Sequence, residues 1–240
     1  MKLARGRAIS LIITVIAAGA ATAFHMAHRS KPLNAQPRQR AILLLLTSLP
    51  LVLNEDFALS GGGSPALDKL RTQYDVLPIS LADEAELAKG NLLIMAQPPT
   101  QTAENLVVLD QWVRRGGRML LLADPLLEWP SKRPLDDPLH PPVMFMDTGL
   151  LAHWGLRLDA PDRSERVIRK LGGYDVETVS PGSLSGACPI SDDRLVAHCR
   201  IGKGRVTIVA DADLLDVGRL GSGAEHNLDG LMNELARVDR

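Results

Sequence analysis

Between residues 41 and 123, apolar runs alternate with amphipathic segments. Ile42 to Thr47, Asn91 to Ala96 and Met119 to Ala123 are nearly unbroken apolar runs, the pattern of strands covered on both faces. Val76 to Ile79 is a shorter strand. Ser64 followed by Pro65 reads as an N-cap and a first helical position. The helix they open carries Leu67, Leu70 and Tyr74. Asp83 to Lys89 forms a short second helix. Thr102 caps a third, with the apolar stripe Leu106, Leu109, Trp112 and Val113. Asp110 and Arg114 sit at i,i+4 on its wet side, and Gly116-Gly117 ends it. This βαβαβαβ order with short connections predicts an α/β fold with a doubly wound, mostly parallel sheet.

The pattern changes after residue 124. Pro125, Pro130, Pro134, Pro138, Pro141 and Pro142 exclude a helix and predict an extended loop leaving a strand end. Asp147 to Trp154 reads as a helix closed by Gly155. An antiparallel β insertion follows: Arg166 to Leu171 and Val176 to Val179 flank Gly172-Gly173. Leu195 to Ile201 pairs with Arg205 to Ala210 across Gly202-Lys203-Gly204, and Val206 to Val209 is a final core strand. The last helix, Glu225 to Val238, puts Leu228, Leu231, Met232 and Leu235 on one face. No internal repeat is present.

The amino end has a different pattern. Lys2, Arg5 and Arg7 precede an uncharged run from Ala8 to Phe24. As a helix that run spans about 26 Å, and extension to Ala27 brings it near the hydrocarbon core of a bilayer. A cleaved signal peptide and an uncleaved signal anchor both fit. The length of the run favours the anchor. The expected organisation is a membrane anchor over 1–28, a polar, Pro-containing linker over 29–40 and an extracytoplasmic α/β domain over 41–240. That is a single-pass inner-membrane protein with its body in the periplasm or outside the cell. The basic residues flanking the span do not decide its orientation; the export-like leader is what places the body outside.

Charge supports this division. Seven of the 27 basic residues precede residue 41 and none of the 28 acidic ones does, so the body is acidic by eight charges. An acidic body with only 3% aromatic residues is a poor nucleic-acid binder.

No phosphate-loop, GxSxG or HExxH motif occurs, and no cofactor is indicated. Gly61 to Ser64 reads as a loop and helix cap, and Gly202 to Arg205 as a hairpin turn. His140, His153, His198 and His226 are scattered and read as surface or helix-end residues. In an open parallel sheet ligands bind beyond the carboxyl ends of the strands. The residues expected there are Ser48, Glu55, Gln97, Asp124, Asp211 and Asp213, lining a polar crevice without a nucleophile–base pair. Asp211, Asp213 and Asp216 could hold a hard cation, but turn capping is the plainer reading. Cys188 and Cys199 either pair, as an oxidising compartment allows, or stay free.

Four blocks carry a family resemblance: LLLLTSLPLV at 43–52, LDQWVRRGGRMLLLADPLLEWP at 109–130, LLAHWGLRLD at 150–159 and GKGRVTIVADADLLD at 202–216. Together they resemble the GldG-like auxiliary components of uncharacterised ABC-type transport systems. The resemblance implies a fold similar to class I glutamine amidotransferases, a membrane tether, and partnership with permease and ATPase subunits. It does not import amidase activity. Where such an enzyme has its cysteine after a central strand, this chain has Gln97-Pro98-Pro99. Three functions follow as expectations: a non-catalytic accessory subunit of an ABC-type transport system, an envelope hydrolase or sugar-binding enzyme using Asp124 with Asp211, and an interaction domain using the loop 125–142.

Overall fold

The computed structural model describes residues 40–52 and 63–240. The anchor 1–28, the linker up to residue 39, and Glu55 lie outside the described residues. Among the described residues no helix is long and apolar enough to cross a membrane.

The elements run β1 (Ala41–Thr47), α1 (Pro65–Arg71), β2 (Tyr74–Pro78), α2 (Glu84–Leu87), β3 (Leu92–Ala96), α3 (Ala103–Arg114) and β4 (Arg118–Leu122). They continue with α4 (Leu150–His153), β5 (Leu156–Asp159), β6 (Arg166–Leu171), β7 (Tyr174–Val179) and β8 (Ser183–Gly186). The chain then forms β9 (Val196–Ile201), β10 (Gly204–Val209), α5 (Val217–Leu220) and α6 (Asn227–Asp239). The central sheet has the order β2-β1-β3-β4-β10-β9. Its neighbours pair in parallel as far as β10, and β9 closes the edge antiparallel. The mostly parallel α/β sheet inferred from the apolar runs is therefore present.

Local chemistry accounts for the element boundaries. The Ser64 and Thr102 hydroxyls accept hydrogen bonds from Leu67 N and Asn105 N, filling donors that a helix start leaves open. β3 is buried along its whole length and lies between two parallel neighbours, β1 and β4. Most boundaries shift by a residue or two from the sequence reading, and two shift further. Tyr74 opens β2 instead of extending α1, because pairing with Ala41 takes it into the sheet. The segment from Asp147 is helical only over Leu150–His153: Gly149 stands at φ 104 and the Asp147 carboxylate caps the turn by accepting from Gly149 N and Leu151 N.

The antiparallel part splits in three. β5 pairs with β8, β6 with β7, and β9 joins the main sheet beside β10, so Val206 to Val209 is an inner strand. A two-residue turn with Gly202 at φ 59 links β9 to β10 and packs on the end of α3. A Cβ on Gly204 would lie 2.1 Å from the Val113 carbonyl oxygen, so only glycine permits this approach. Cys188 and Cys199 form a disulfide with Cα atoms 5.1 Å apart. It holds the segment 188–191 along the outer edge of β9, where His198 N donates to Pro189 O at 2.8 Å. The edge strand is thus partly covered.

Candidate functional site

β4 and β10 are adjacent and parallel, so their carboxyl ends deliver Asp124 and Asp211 to one place. A 3-10 turn, Asp213–Leu215, adds Asp213. All three carboxyl groups belong to residues with no solvent exposure. The expected open polar crevice is absent here: each oxygen faces inward and accepts a hydrogen bond. Asp124 Oδ1 accepts from Leu126 N at 2.9 Å, and Oδ2 from Ala212 N at 2.8 Å and Asp213 N at 3.3 Å. Asp211 accepts from Leu214 N at 2.7 Å and Val179 N at 3.0 Å. Asp213 accepts from Glu128 N at 2.7 Å and from Arg219 Nη2, also at 2.7 Å.

Burial sets the protonation of this group. Desolvation pushes Asp124 up to about 6, opposed by its three backbone donors. Desolvation and the neighbouring Asp124 raise Asp211 well above the ordinary carboxylate range. Desolvation also takes Asp213 to about 7, with Arg219 pulling the other way. Glu128, nearer the surface, is lowered because the Ser164 and Ser180 hydroxyls donate to it.

Gln97 is equally buried and takes φ 41 at the end of β3. Its Oε1 accepts from Asp124 N at 3.0 Å, and its Nε2 donates to Asp124 O at 3.2 Å and Pro142 O at 3.1 Å. Ser48 is half-buried beside it and reaches Gln97 only by its main chain, Ser48 N to Gln97 O at 3.2 Å. The structure therefore brings Gln97, Asp124, Asp211 and Asp213 together. Sequence reasoning missed Glu128 and Ser180, which meet across distant stretches of the chain, and Arg219, whose partners Asp213 and Asp216 lie close by but turn toward it only in the 3-10 turn and short helix that follow β10.

The acids act chemically as clasps. They satisfy buried N–H groups of the 124–128, 179–180 and 211–214 turns, a task otherwise left to water. A glycosidase needs an acid and a base that reach substrate, and these reach none. Among the described residues no cluster of three His, Cys, Asp or Glu side chains could hold a metal ion.

Over this sealed end lies the proline-rich segment. Its return arm is anchored by Phe145 N to Asp124 O, 2.6 Å, and Leu127 N to Val143 O, 2.9 Å. Its tip and outer side nevertheless leave Leu135 79%, Leu139 59% and Met146 53% exposed, with Val143 and Met144 also exposed.

These features define an α/β protein with a mostly parallel central sheet whose carboxyl end is closed by its own acids and roofed by an apolar loop. Residues 45–161, just under half of the chain, match the ABC_transp_aux family model, described as ABC-type uncharacterized transport system. Over those residues the match bears out the resemblance to GldG-like auxiliary components of ABC-type transport systems. No curated protein matches the sequence. The fold is similar to exo-β-1,4-mannosidase Op5Man5 from Opitutaceae bacterium strain TAV5, with TM-score 0.50 and 12% identity over 83% of this chain and 36% of that one. It is also similar to cytoplasmic protein STM1381 from Salmonella typhimurium LT2, with TM-score 0.50 and 14% identity over 82% of this chain and 99% of that one. The chain thus spans about a third of the mannosidase, and at these identities both likenesses concern the fold alone.

Proposed function

We propose that this chain is a non-catalytic, membrane-tethered accessory subunit of an ABC-type transport system. It contacts a partner protein through the proline-rich segment 125–148. The observation that carries this reading is the contrast at the carboxyl end of the sheet: acids sealed on backbone donors beneath a loop that leaves five large apolar side chains in solvent. Exposed apolar groups clustered on one anchored loop are the raw material of a protein contact. The family match supports the transport setting, with permease and ATPase subunits as the partners.

The tether is the uncharged run Ala8 to Phe24 with residues 29–40 as linker. The disulfide supports a periplasmic or extracellular body, because such bonds persist in oxidising compartments. The strand order is compatible with an amidotransferase-like or flavodoxin-like core, with Gln97 at the place of the missing nucleophile.

Affinity purification of the full chain from membranes tests the proposal. Permease and ATPase subunits are expected to co-purify, and Leu135→Ser/Leu139→Ser/Met146→Ser is expected to release them while keeping the unfolding midpoint. Retention of the complex by that variant would overturn the assigned contact. A phosphatase fused to the carboxyl end and active only in the cytosol would overturn the topology.

A further inference from the structure

The amino end of the same sheet carries an open groove of about 400 Å³ between the β9–β10 hairpin and the last turns of α6. Arg200 and Arg205 are directly opposite each other in the antiparallel ladder, so their side chains share one face. The next pair on that face is His198 with Thr207. Arg237 lines the groove from α6.

Two features are costly for a purely structural edge. Like charges directly opposite on neighbouring strands repel, and among the described residues neither Arg200 nor Arg205 has an acidic partner. Thr207 is 2% exposed and lines the groove, yet its hydroxyl makes no hydrogen bond among the described residues. The carboxylate in contact with this group is Glu234, buried behind His198 at 2.8 Å and 3.8 Å from Arg237. It offsets one of the three arginines. The carbonyl end of α6 also disfavours an anion, so the attraction comes from the guanidinium groups.

We propose that this groove is a binding site for a phosphate group, clamped by Arg200 and Arg205 from the sheet, Arg237 from the helix and the Thr207 hydroxyl from the floor. Guanidinium forks match phosphate oxygens in pairs. Donors arriving from two strands and a helix suit a tetrahedral anion better than a planar carboxylate. The phosphate comes either from a small soluble phosphate or from a lipid headgroup, and the site stands independently of the docking loop.

Isothermal titration of the full chain in non-ionic detergent at fixed salt tests this with three probes: inorganic phosphate, a soluble short-chain phosphatidylglycerol, and acetate. Saturable binding of either phosphorus probe, at least tenfold tighter than acetate, is expected, and the tighter of the two identifies the source. Arg200→Gln/Arg205→Gln is expected to weaken that probe about tenfold or more, and Thr207→Val about threefold. The control Arg157→Gln/Arg163→Gln, elsewhere on the surface, stays within twofold. Equal binding of acetate, no saturable binding, or an equal loss in the control would each overturn the site.

Discussion

The two ends of the central sheet treat charge in opposite ways. At the carboxyl end three aspartates point inward, lose contact with water and are held by backbone N–H groups. At the amino end two arginines, Arg200 exposed and Arg205 half-buried, stand side by side, and neither forms an ion pair among the described residues. The first arrangement stabilises turns, because a buried donor without an acceptor costs more than an ordinary hydrogen bond contributes. The second costs stability and has no such return, which is the mark of a surface kept for a ligand. In an open α/β sheet the carboxyl end is where ligands usually bind; here that end is closed and the apolar loop above it is what faces outward.

The largest expected effect falls on the sealed end. Asp211→Ala strands the N–H groups of Val179 and Leu214 and should lower stability by about 2–6 kcal/mol, read by urea denaturation. A loss below about 1 kcal/mol would break the contrast between the ends.

The pH profile comes next. Asp124 and Asp213 are raised from 3.8 to about 6 and about 7, so the folded chain holds protons that the unfolded chain releases. Their contribution is complete below about pH 4 and is lost as pH rises through about 6 to 7. The Asp124 displacement corresponds to about 3 kcal/mol. The urea midpoint should therefore fall from pH 5 to pH 8, and Asp124→Asn should flatten that fall.

Reduction of the disulfide, or Cys188→Ser/Cys199→Ser, frees a loop with a sequence separation of 11 and should cost about 3 kcal/mol. Faster amide exchange over β9 would accompany it. Arg205→Glu should work the other way, turning a repulsive cross-strand pair into an attractive one and raising stability by about 0.2–1 kcal/mol. The same change should abolish phosphate binding, and a variant that gains stability while losing a ligand sharpens the comparison most. Leu135→Ser should move stability by no more than about 0.5 kcal/mol, because the side chain is already in water; its effect should appear only in partner recovery.

Much of the scaffold was legible in the residues. The runs at Ile42, Asn91 and Met119 could be read as buried strands because both faces of a covered parallel strand are apolar. Ser64-Pro65 and Thr102 marked helix starts because capping is a local affair of three or four residues. Tyr74 is ambiguous in the sequence because helix and strand spacing both leave it on an apolar face, and pairing with Ala41 decides between them. Asp124 and Asp211 each stand just past the end of an apolar run, a place visible in the residues. Their burial was not legible: an aspartate after a strand looks the same whether it faces solvent or a neighbouring turn.

The sequence alone determined the succession of elements, the helix caps and the family resemblance, because each rests on neighbours along the chain or on recognisable blocks. Tertiary structure alone decided that the acids are clasps, that Arg200 faces Arg205, and that Thr207 lies at the floor of a groove. Those facts depend on register and on partners such as Asp124 with Ala212 or Asp213 with Glu128, 88 and 85 residues apart. Packing brings such partners together, and local residue patterns carry no trace of it.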